Sequence, residues 1–197
     1  MGEFWKRLIF GALFVIVVLG SIILGRYAAS LMLMLVVMMA SSEIANLFPH
    51  EPNKSLKDVV GCCSVMLYVF FFVLSRNFDS IESGIYIAPI FFFVPLLIAL
   101  FSKKHDYVSL VGASWLSMIF VAMTCGIMTM FYNEELMGTD KGWVLLIFAY
   151  ILIWVNDIFA YLTGSAIGRH KLCPRISPKK TIEGSLGGGV FTMLFAY

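Results

Sequence analysis

Charged residues are scarce in this sequence of 197 residues. Only 14 residues are basic and 12 are acidic, 13% in all, whereas 60% are hydrophobic and the mean hydropathy is +0.92. A soluble domain carries about a quarter charged and about half apolar residues, so polar groups here are too few to cover a surface in water. The composition excludes a soluble globule and predicts a protein that crosses a membrane several times.

The small net charge and the sparse cysteines exclude further classes. A net charge of +2 is too low for binding nucleic acid through its phosphates. Cys62 and Cys63 are adjacent within an apolar run, while Cys125 and Cys173 stand apart, so no disulfide framework is indicated. His170 and Cys173 alone do not make a zinc site. Because the net charge is so low, we expect no nucleic-acid partner.

Six apolar stretches are long enough to cross a bilayer core of roughly 30 Å, which needs about 20 helical residues. Short polar breaks separate them, and none has the alternation of a membrane β-barrel. The sequence predicts an all-α polytopic membrane helical bundle with six full spans and a partial seventh, in one integral-membrane domain over 1–197. The six full spans are predicted at 8–25, 28–48, 59–75, 83–101, 107–132 and 142–164.

Lysine and arginine residues divide unevenly between the two sides of such a bundle. The side of the N-terminus collects 11 of them and the other side 3. Because basic loops stay in the cytoplasm, we predict that the N-terminus and the 165–186 loop are cytoplasmic in a multi-pass protein of an inner or plasma membrane. The 11 are Lys6, Arg7, Lys54, Lys57, Lys103, Lys104, Arg169, Lys171, Arg175, Lys179 and Lys180, and the 3 are Arg26, Arg76 and Lys141.

Two acidic residues fall inside predicted spans, where a charge at the helix centre costs about 2.5 to 3.5 kcal/mol. Glu43 stands among small polar residues, and both a hydrogen-bonded packing role and a functional role remain open for it. Asp157 follows Asn156 and precedes Tyr161 by about one helical turn, so a polar face points toward the most basic loop. We interpret Asp157 as functional, because acids within membranes commonly mark ion or substrate sites.

Small residues continue along the same predicted helix. Ala160, Gly164 and Gly168 recur at intervals of four residues. This spacing is typical of a surface where a neighbouring helix approaches closely, and we predict such a contact beside Asp157.

The loop that follows holds five basic residues within 12 positions. Ser177 before Pro178 predicts a helix start, whose free N–H groups would bind phosphate together with Lys179, Lys180 and Thr181. The alternative is a basic patch that only fixes topology and touches anionic lipids, at about 1 kcal/mol per cation. Composition leaves both interpretations open.

Two motifs near the end of the chain resemble those of the membrane phosphatidate cytidylyltransferases, also called CDP-diacylglycerol synthases. From Asp157 to Arg169 the sequence reads D-x-x-A-Y-x-x-G-x-x-x-G-R, and from Pro174 to Gly188 it reads P-x-I-S-P-K-K-T-x-E-G-x-x-G-G. The basic N-terminus ahead of the first span, and Glu43 at the end of the second, also resemble that family.

The resemblance implies cytidylyl transfer from CTP to phosphatidic acid, giving CDP-diacylglycerol and pyrophosphate with Mg²⁺ in phospholipid biosynthesis. It implies catalytic roles for Asp157, Lys179 and Lys180, with Asp157 also a ligand of the metal. Partners would be CTP, phosphatidic acid and membrane lipids, with a homodimer left open. Substrate-binding residues would be Asn156, Tyr161, Arg169, Ser177, Thr181, Glu183 and Gly184.

The resemblance also implies a division of the chain. The N-terminal spans would occupy about 8–132 and the start of the catalytic part about 142–197. The C-terminal signature of the family, with its acidic residues, would follow Tyr197. Those acids are expected to be the main metal ligands, so the chain is expected to be inactive alone. The alternative is a fragment of a proton- or cation-coupled transporter that uses Glu43 and Asp157.

Overall fold

The computed structural model describes residues 3–48, 54–76, 84, 86–101 and 106–197. In these ranges the chain is helical apart from its connections and one two-stranded sheet. The predicted all-α class is therefore confirmed, with a small hairpin added. By its internal contacts the chain divides into two compact units, Met1–Trp143 and Val144–Tyr197, and each is described by itself.

The first unit contains most of the helices. Its long helices are followed by shorter segments that join end to end. The elements are α1 (Glu3–Ile23), α2 (Arg26–Asn46), α3 (Lys54–Leu74), a 3-10 turn (Ala88–Phe92), α4 (Phe93–Phe101), α5 (Tyr107–Ser117), a π-helical segment (Met118–Met123), α6 (Thr124–Thr129), a second 3-10 turn (Met130–Tyr132) and α7 (Glu134–Met137).

A buried apolar cluster joins α2, α3 and the π-helical segment of this unit. Val37, Leu67 and Met118 are fully buried in it. Beside the cluster, the hydroxyl oxygens of Ser41 and Ser64 each lie 2.8 Å from that of Ser117. Small hydroxyl residues allow helices to approach closely in lipid and link them by hydrogen bonds, so these serines connect α2, α3 and α5.

The second unit has four elements. A long helix leads into a hairpin and then a shorter helix: α8 (Gly142–Ile167), β1 (Lys171–Cys173), β2 (Ser177–Thr181) and α9 (Ile182–Ala196). The first two residues of α8 belong to the first unit by the same division.

Glycines let α9 lie against α8. A Cβ atom on Gly184 would lie 2.7 Å from the carbonyl oxygen of Ala160 and 3.0 Å from the Cα atom of Gly164. Farther along, the rings of Phe159 and Phe191 stack with their centroids 4.1 Å apart. The predicted close contact at Ala160 and Gly164 is confirmed, whereas the space beside Gly168 is occupied by the side chain of Thr181.

The predicted helix start at Ser177 is wrong. Ser177 pairs with Cys173 and Thr181 pairs with Lys171 in an antiparallel hairpin, with an irregularity between the two pairs. Each strand of a two-stranded sheet is an edge, so Pro178, which has no N–H to donate, is tolerated in β2. The helix begins at Ile182.

Four helical segments in the described ranges are long and apolar enough to cross a membrane. Large apolar side chains such as Phe10 and Met39 are exposed, as expected where lipid is the solvent. The predicted count of six full spans is not confirmed, since the segments at the first and fourth predicted spans are shorter and residues 83 and 85 lie outside the described part. The four are Arg26–Asn46, Leu56–Leu74, Tyr107–Tyr132 and Gly142–Ile167, and the shorter apolar helices are Ile9–Ile23, Ala88–Phe101 and Ile182–Ala196.

Candidate active site

A cavity of about 380 Å³ opens in the second unit between α8, β2 and the start of α9. It combines one carboxylate with two lysines and several hydroxyl groups. Its lining residues are Asn156, Asp157, Ala160, Tyr161, Gly164, Ser165, Lys179, Lys180, Thr181, Gly184 and Ser185.

The period of the helix explains which residues of α8 line the cavity. Residues four apart lie on one face of a helix, so Asp157, Tyr161 and Ser165 form one row along the wall. The neighbouring row, which includes Ala160 and Gly164, faces α9. Asp157 is exposed at this wall, and Tyr161 is 74% exposed. A polar row thus lies directly beside the small-residue contact.

The hairpin brings the lysines to the opposite side. Lys179 and Lys180 are both exposed, and both line the cavity. Strict alternation along a strand would send neighbouring side chains to opposite faces, but the register of β1 and β2 is irregular in this stretch. The cavity therefore receives two positive charges from consecutive residues.

Thr181 forms the junction between β2 and α9. It has an extended backbone, and its hydroxyl oxygen accepts a hydrogen bond from the N–H of Gly184 at 3.2 Å, which caps α9. Its side chain occupies the notch beside Gly164 and Gly168, where Cβ atoms would lie 2.9 and 2.7 Å from its hydroxyl oxygen. The buried Thr181 thus fixes where the lysine-bearing strand meets the two helices.

Glu183 closes the base of the hairpin. Its carboxylate accepts hydrogen bonds from the backbone N–H groups of Arg169 at 3.1 Å and His170 at 3.2 Å. It also lies 2.6 Å from Nδ1 of His170. The hydrogen bond with His170, helped by the backbone N–H groups, lowers the pKa of Glu183 from 4.5 to about 2. The N–H of Ile182 donates to the carbonyl of His170 at 2.9 Å.

These contacts occupy the start of α9. The N–H groups of Ile182 and Gly184 already have protein acceptors, so this helix end is not an open set of donors for phosphate. The prediction that free helical N–H groups at Ser177 bind phosphate is wrong for the same stretch, because no helix begins there. Positive charge at the cavity comes from the lysine side chains.

Most residues predicted for the site lie together. Lys179 and Lys180 face the same cavity as Asp157, while Glu43 is an exposed residue in the last turn of α2, in the other unit. Within the described residues, no group of three or more His, Cys, Asp or Glu side chains could hold a metal ion. Of the predicted substrate-binding residues, Asn156, Tyr161, Thr181 and Gly184 line the cavity, whereas Arg169, Ser177 and Glu183 do not.

Two lining residues were missed by the sequence reasoning. Ser165 lies four residues after Tyr161, so continuing the polar row of α8 by one turn would have found it. Ser185 lies in the first turn of α9, where its hydroxyl donates to the carbonyl of Thr181 at 3.1 Å. No sequence signal distinguished Ser185, because the helix start was placed at the wrong residue.

Comparison with known proteins identifies the class. Residues 5–197 match the cytidylyltransferase family, so the chain belongs to this family of nucleotidyltransferases. With its several apolar helices, it is an integral membrane protein. The relatives carry a more specific name. A phosphatidate cytidylyltransferase of Bacillus subtilis is 29% identical over 203 residues, which cover 100% of this chain and 71% of that protein.

Shorter segments are more similar. The phosphatidate cytidylyltransferase of Aquifex aeolicus is 57% identical over 51 residues, 26% of this chain and 19% of that protein. The protein of the same name from Staphylococcus aureus strain COL is 44% identical over 63 residues, 32% of this chain and 23% of the relative. No solved structure matches the chain.

Proposed function

We propose that this protein transfers a cytidylyl group from CTP to phosphatidate, producing CDP-diacylglycerol and pyrophosphate. The observation that carries the proposal is the cavity of the second unit, which Asp157 of an apolar helix lines together with Lys179 and Lys180 of the hairpin. The substrates follow the names of the curated relatives. The cavity supports this assignment by its charge and by its place beside a candidate membrane span.

The reaction exchanges one phosphorus–oxygen bond for another. A phosphate oxygen of phosphatidate attacks the α-phosphorus of CTP, and the bond from that phosphorus to the oxygen bridging to the β-phosphate breaks. The electron pair leaves with pyrophosphate. Charge grows on the phosphate oxygens during this exchange, and fixed positive groups are most effective where charge develops. Lys179 and Lys180 would neutralise these oxygens.

The position of the cavity suits two substrates that arrive from different phases. Asp157 lies ten residues before the end of α8, roughly 15 Å along the helix axis. A lipid headgroup would approach the cavity from the side of the apolar helix while its acyl chains remain in lipid. The nucleotide enters from the aqueous side beside the hairpin. Tyr161, with 74% of its surface exposed, would contact one of the two substrates.

The single carboxylate of the cavity is compatible with Mg²⁺, because this ion needs few protein ligands. Mg²⁺ usually keeps several waters and binds through one or two carboxylates plus substrate phosphates, and Asp157 supplies one carboxylate at the cavity wall. Bound there, the ion would neutralise negative charge on the triphosphate. Asp157 would hold the ion, and the lysines would orient the phosphate oxygens around it.

The proposal is tested by replacing one cavity lysine in the full-length protein. Lys180→Ala is expected to lower kcat/KM for CTP by about 100-fold, since one fixed donor to developing charge contributes a few kcal/mol. Lys141→Ala removes an exposed lysine of the other unit and is the matched control, expected to keep wild-type kcat/KM. Radiolabelled CTP and phosphatidate in mixed micelles report CDP-diacylglycerol directly.

Two results would overturn the assignment. One is the absence of CTP-dependent formation of CDP-diacylglycerol by the full-length wild-type protein. The other is an equal kcat/KM for Lys180→Ala and Lys141→Ala, which would leave the cavity lysines without a role in transfer.

A further inference from the structure

The hairpin presents exposed apolar side chains next to basic ones. Ile176 is 83% exposed and Leu172 is 49% exposed. Lys171 and Arg175, which flank them in sequence, are also exposed. Arg175 and Ile176 lie in the turn, Leu172 lies in β1, and Lys171 lies at the base of β1 opposite Thr181. These four residues are here called the hairpin patch. Isolated exposed apolar residues are ordinary on protein surfaces. Ile176 and Leu172, however, lie on a short hairpin whose charged residues are all basic.

The charge of the hairpin has one sign. From residue 171 to residue 181 the sequence contains four basic residues and no acidic residue. Two of the four, Lys179 and Lys180, line the cavity, which leaves Lys171 and Arg175 for another partner. Such a surface complements a negatively charged one, and interfacial membrane segments combine basic with apolar residues in this way.

The chain on either side of the hairpin runs into apolar helices. The candidate span α8 ends at Ile167, four residues before β1, and α9 begins directly after β2. The backbone bond from Ile182 to His170 and the contacts of Glu183 close the base of the hairpin onto these helix ends. The hairpin is thereby held at the boundary where α8 leaves the apolar phase.

We propose that the hairpin patch docks on the surface of a bilayer that contains anionic lipid. Ile176 and Leu172 insert among the headgroups, and Lys171 and Arg175 lie against lipid phosphates. The partner is the bulk anionic membrane surface, reached because both ends of the hairpin are attached to apolar helices. This docking does not depend on the proposed transfer reaction, since the patch residues do not line the cavity.

A fluorescent label at position 176 tests the docking without any enzyme assay. The variant Ile176→Cys is made together with Cys62→Ala and Cys173→Ser, because Cys63 and Cys125 are buried and can remain. The purified full chain is labelled with an environment-sensitive fluorophore and placed in vesicles of phosphatidylcholine with or without phosphatidylglycerol, an anionic lipid that gives the surface a negative potential. Nitroxide-labelled lipid serves as the quencher.

We expect blue-shifted emission and strong lipid quenching at position 176 in the anionic vesicles, reduced severalfold in pure phosphatidylcholine and by high salt. Adding Lys171→Gln and Arg175→Gln should reduce the quenching to the same extent. A label at Lys141→Cys in the same background gives the level for an exposed turn of the first unit.

Two outcomes would overturn the docking. The first is a label at position 176 that is no better quenched than the label at position 141 in anionic vesicles. The second is equal quenching in both lipid compositions, since the cations of the patch would then have no part in it. Either result leaves the assay of CTP transfer unaffected, so failure of this inference and failure of the proposed function are separable.

Discussion

Asp157 is the residue on which the proposed chemistry depends most. An acid inside an apolar helix is costly to insert, and here it lines a cavity that also holds two lysines. Asp157→Asn keeps the shape of the side chain and removes its charge. In the full-length protein we expect a loss of transfer of at least about 100-fold, with thermal stability unchanged or slightly raised. The initial rate of CDP-diacylglycerol formation and the melting temperature in detergent measure the two effects.

Glu43→Gln is the matched control for this prediction. Glu43 is also an acid in a candidate span, but it lies in α2 of the first unit and is exposed in the last turn of that helix. We expect its replacement to leave transfer within about twofold of wild type, since a surface substitution away from a site usually changes little. A normal rate for Asp157→Asn combined with a lower melting temperature would show a structural role for Asp157.

Glu183 is predicted to stabilise the hairpin in a pH-dependent manner. Its pKa is lowered from 4.5 to about 2 by His170 and backbone N–H groups. A depressed folded pKa means that the stabilisation is fully present above pH 4.5 and is lost as the pH falls toward about 2. The melting temperature of wild type should therefore exceed that of Glu183→Gln at pH 6, and the difference should shrink steadily down to pH 2.5. A constant difference would contradict the assigned contact.

Individual site residues were predictable to different degrees. Asp157 and Tyr161 follow from helical spacing, since residues one turn apart share a face. The contact of Glu183 with the backbone of Arg169 and His170 was not predictable, because it joins residues 13 and 14 positions apart across a hairpin. Sequence spacing predicts which residues share a face of one helix. It says little about which residues meet when the chain reverses direction at a turn.

At the scale of elements, the contact of α8 with α9 depends on Gly184. A Cβ atom there would meet backbone atoms of Ala160 and Gly164 at 2.7 and 3.0 Å, which cannot move aside as a flexible side chain would. Gly184→Ala should thus destabilise the second unit by about 1 to 3 kcal/mol. Thermal unfolding of the purified chain in detergent measures this loss.

Gly189→Ala is the control within the same helix. No atom lies within 4 Å of a Cβ atom placed on Gly189, and alanine favours a helix by up to about 1 kcal/mol over glycine. Its melting temperature should equal or exceed that of wild type. A similar loss of stability for both variants would show that the close approach of the helices does not account for the effect.

The hairpin was the element that sequence reasoning placed wrongly. Ser before Pro is a common helix start, and the stretch from Ser177 satisfied that local pattern. The pairing of Ser177 with Cys173 and of Thr181 with Lys171 depends on contacts between strands, and Thr181 provides the cap of the real helix. Both Ser177 and Thr181 are residue types that cap helices. The local pattern alone therefore does not show which of the two begins the helix.

For the molecule as a whole, composition decided the class but not the number of spans. Low charge and high hydropathy indicated apolar helices, and helices are found at 9–23, 88–101 and 182–196 besides the four candidate spans. The length of an apolar run does not fix the length of the helix that forms in it. In the run at 83–101, the described apolar helix is Ala88–Phe101, which begins with a 3-10 turn containing a proline and is shorter than the roughly 20 residues that a span needs.

The orientation of the chain remains a prediction from its basic residues. Eleven lysine and arginine residues fall on the side predicted to be cytoplasmic and three on the other side. This asymmetry sets the topology of most helical membrane proteins. With Cys62→Ala and Cys173→Ser in place, a membrane-impermeant maleimide applied to intact cells should label Lys141→Cys and should reach Lys179→Cys only after the membrane is opened. Labelling at position 179 from outside would separate the cavity lysines from cytosolic CTP, and the proposed transfer could then not occur at this cavity.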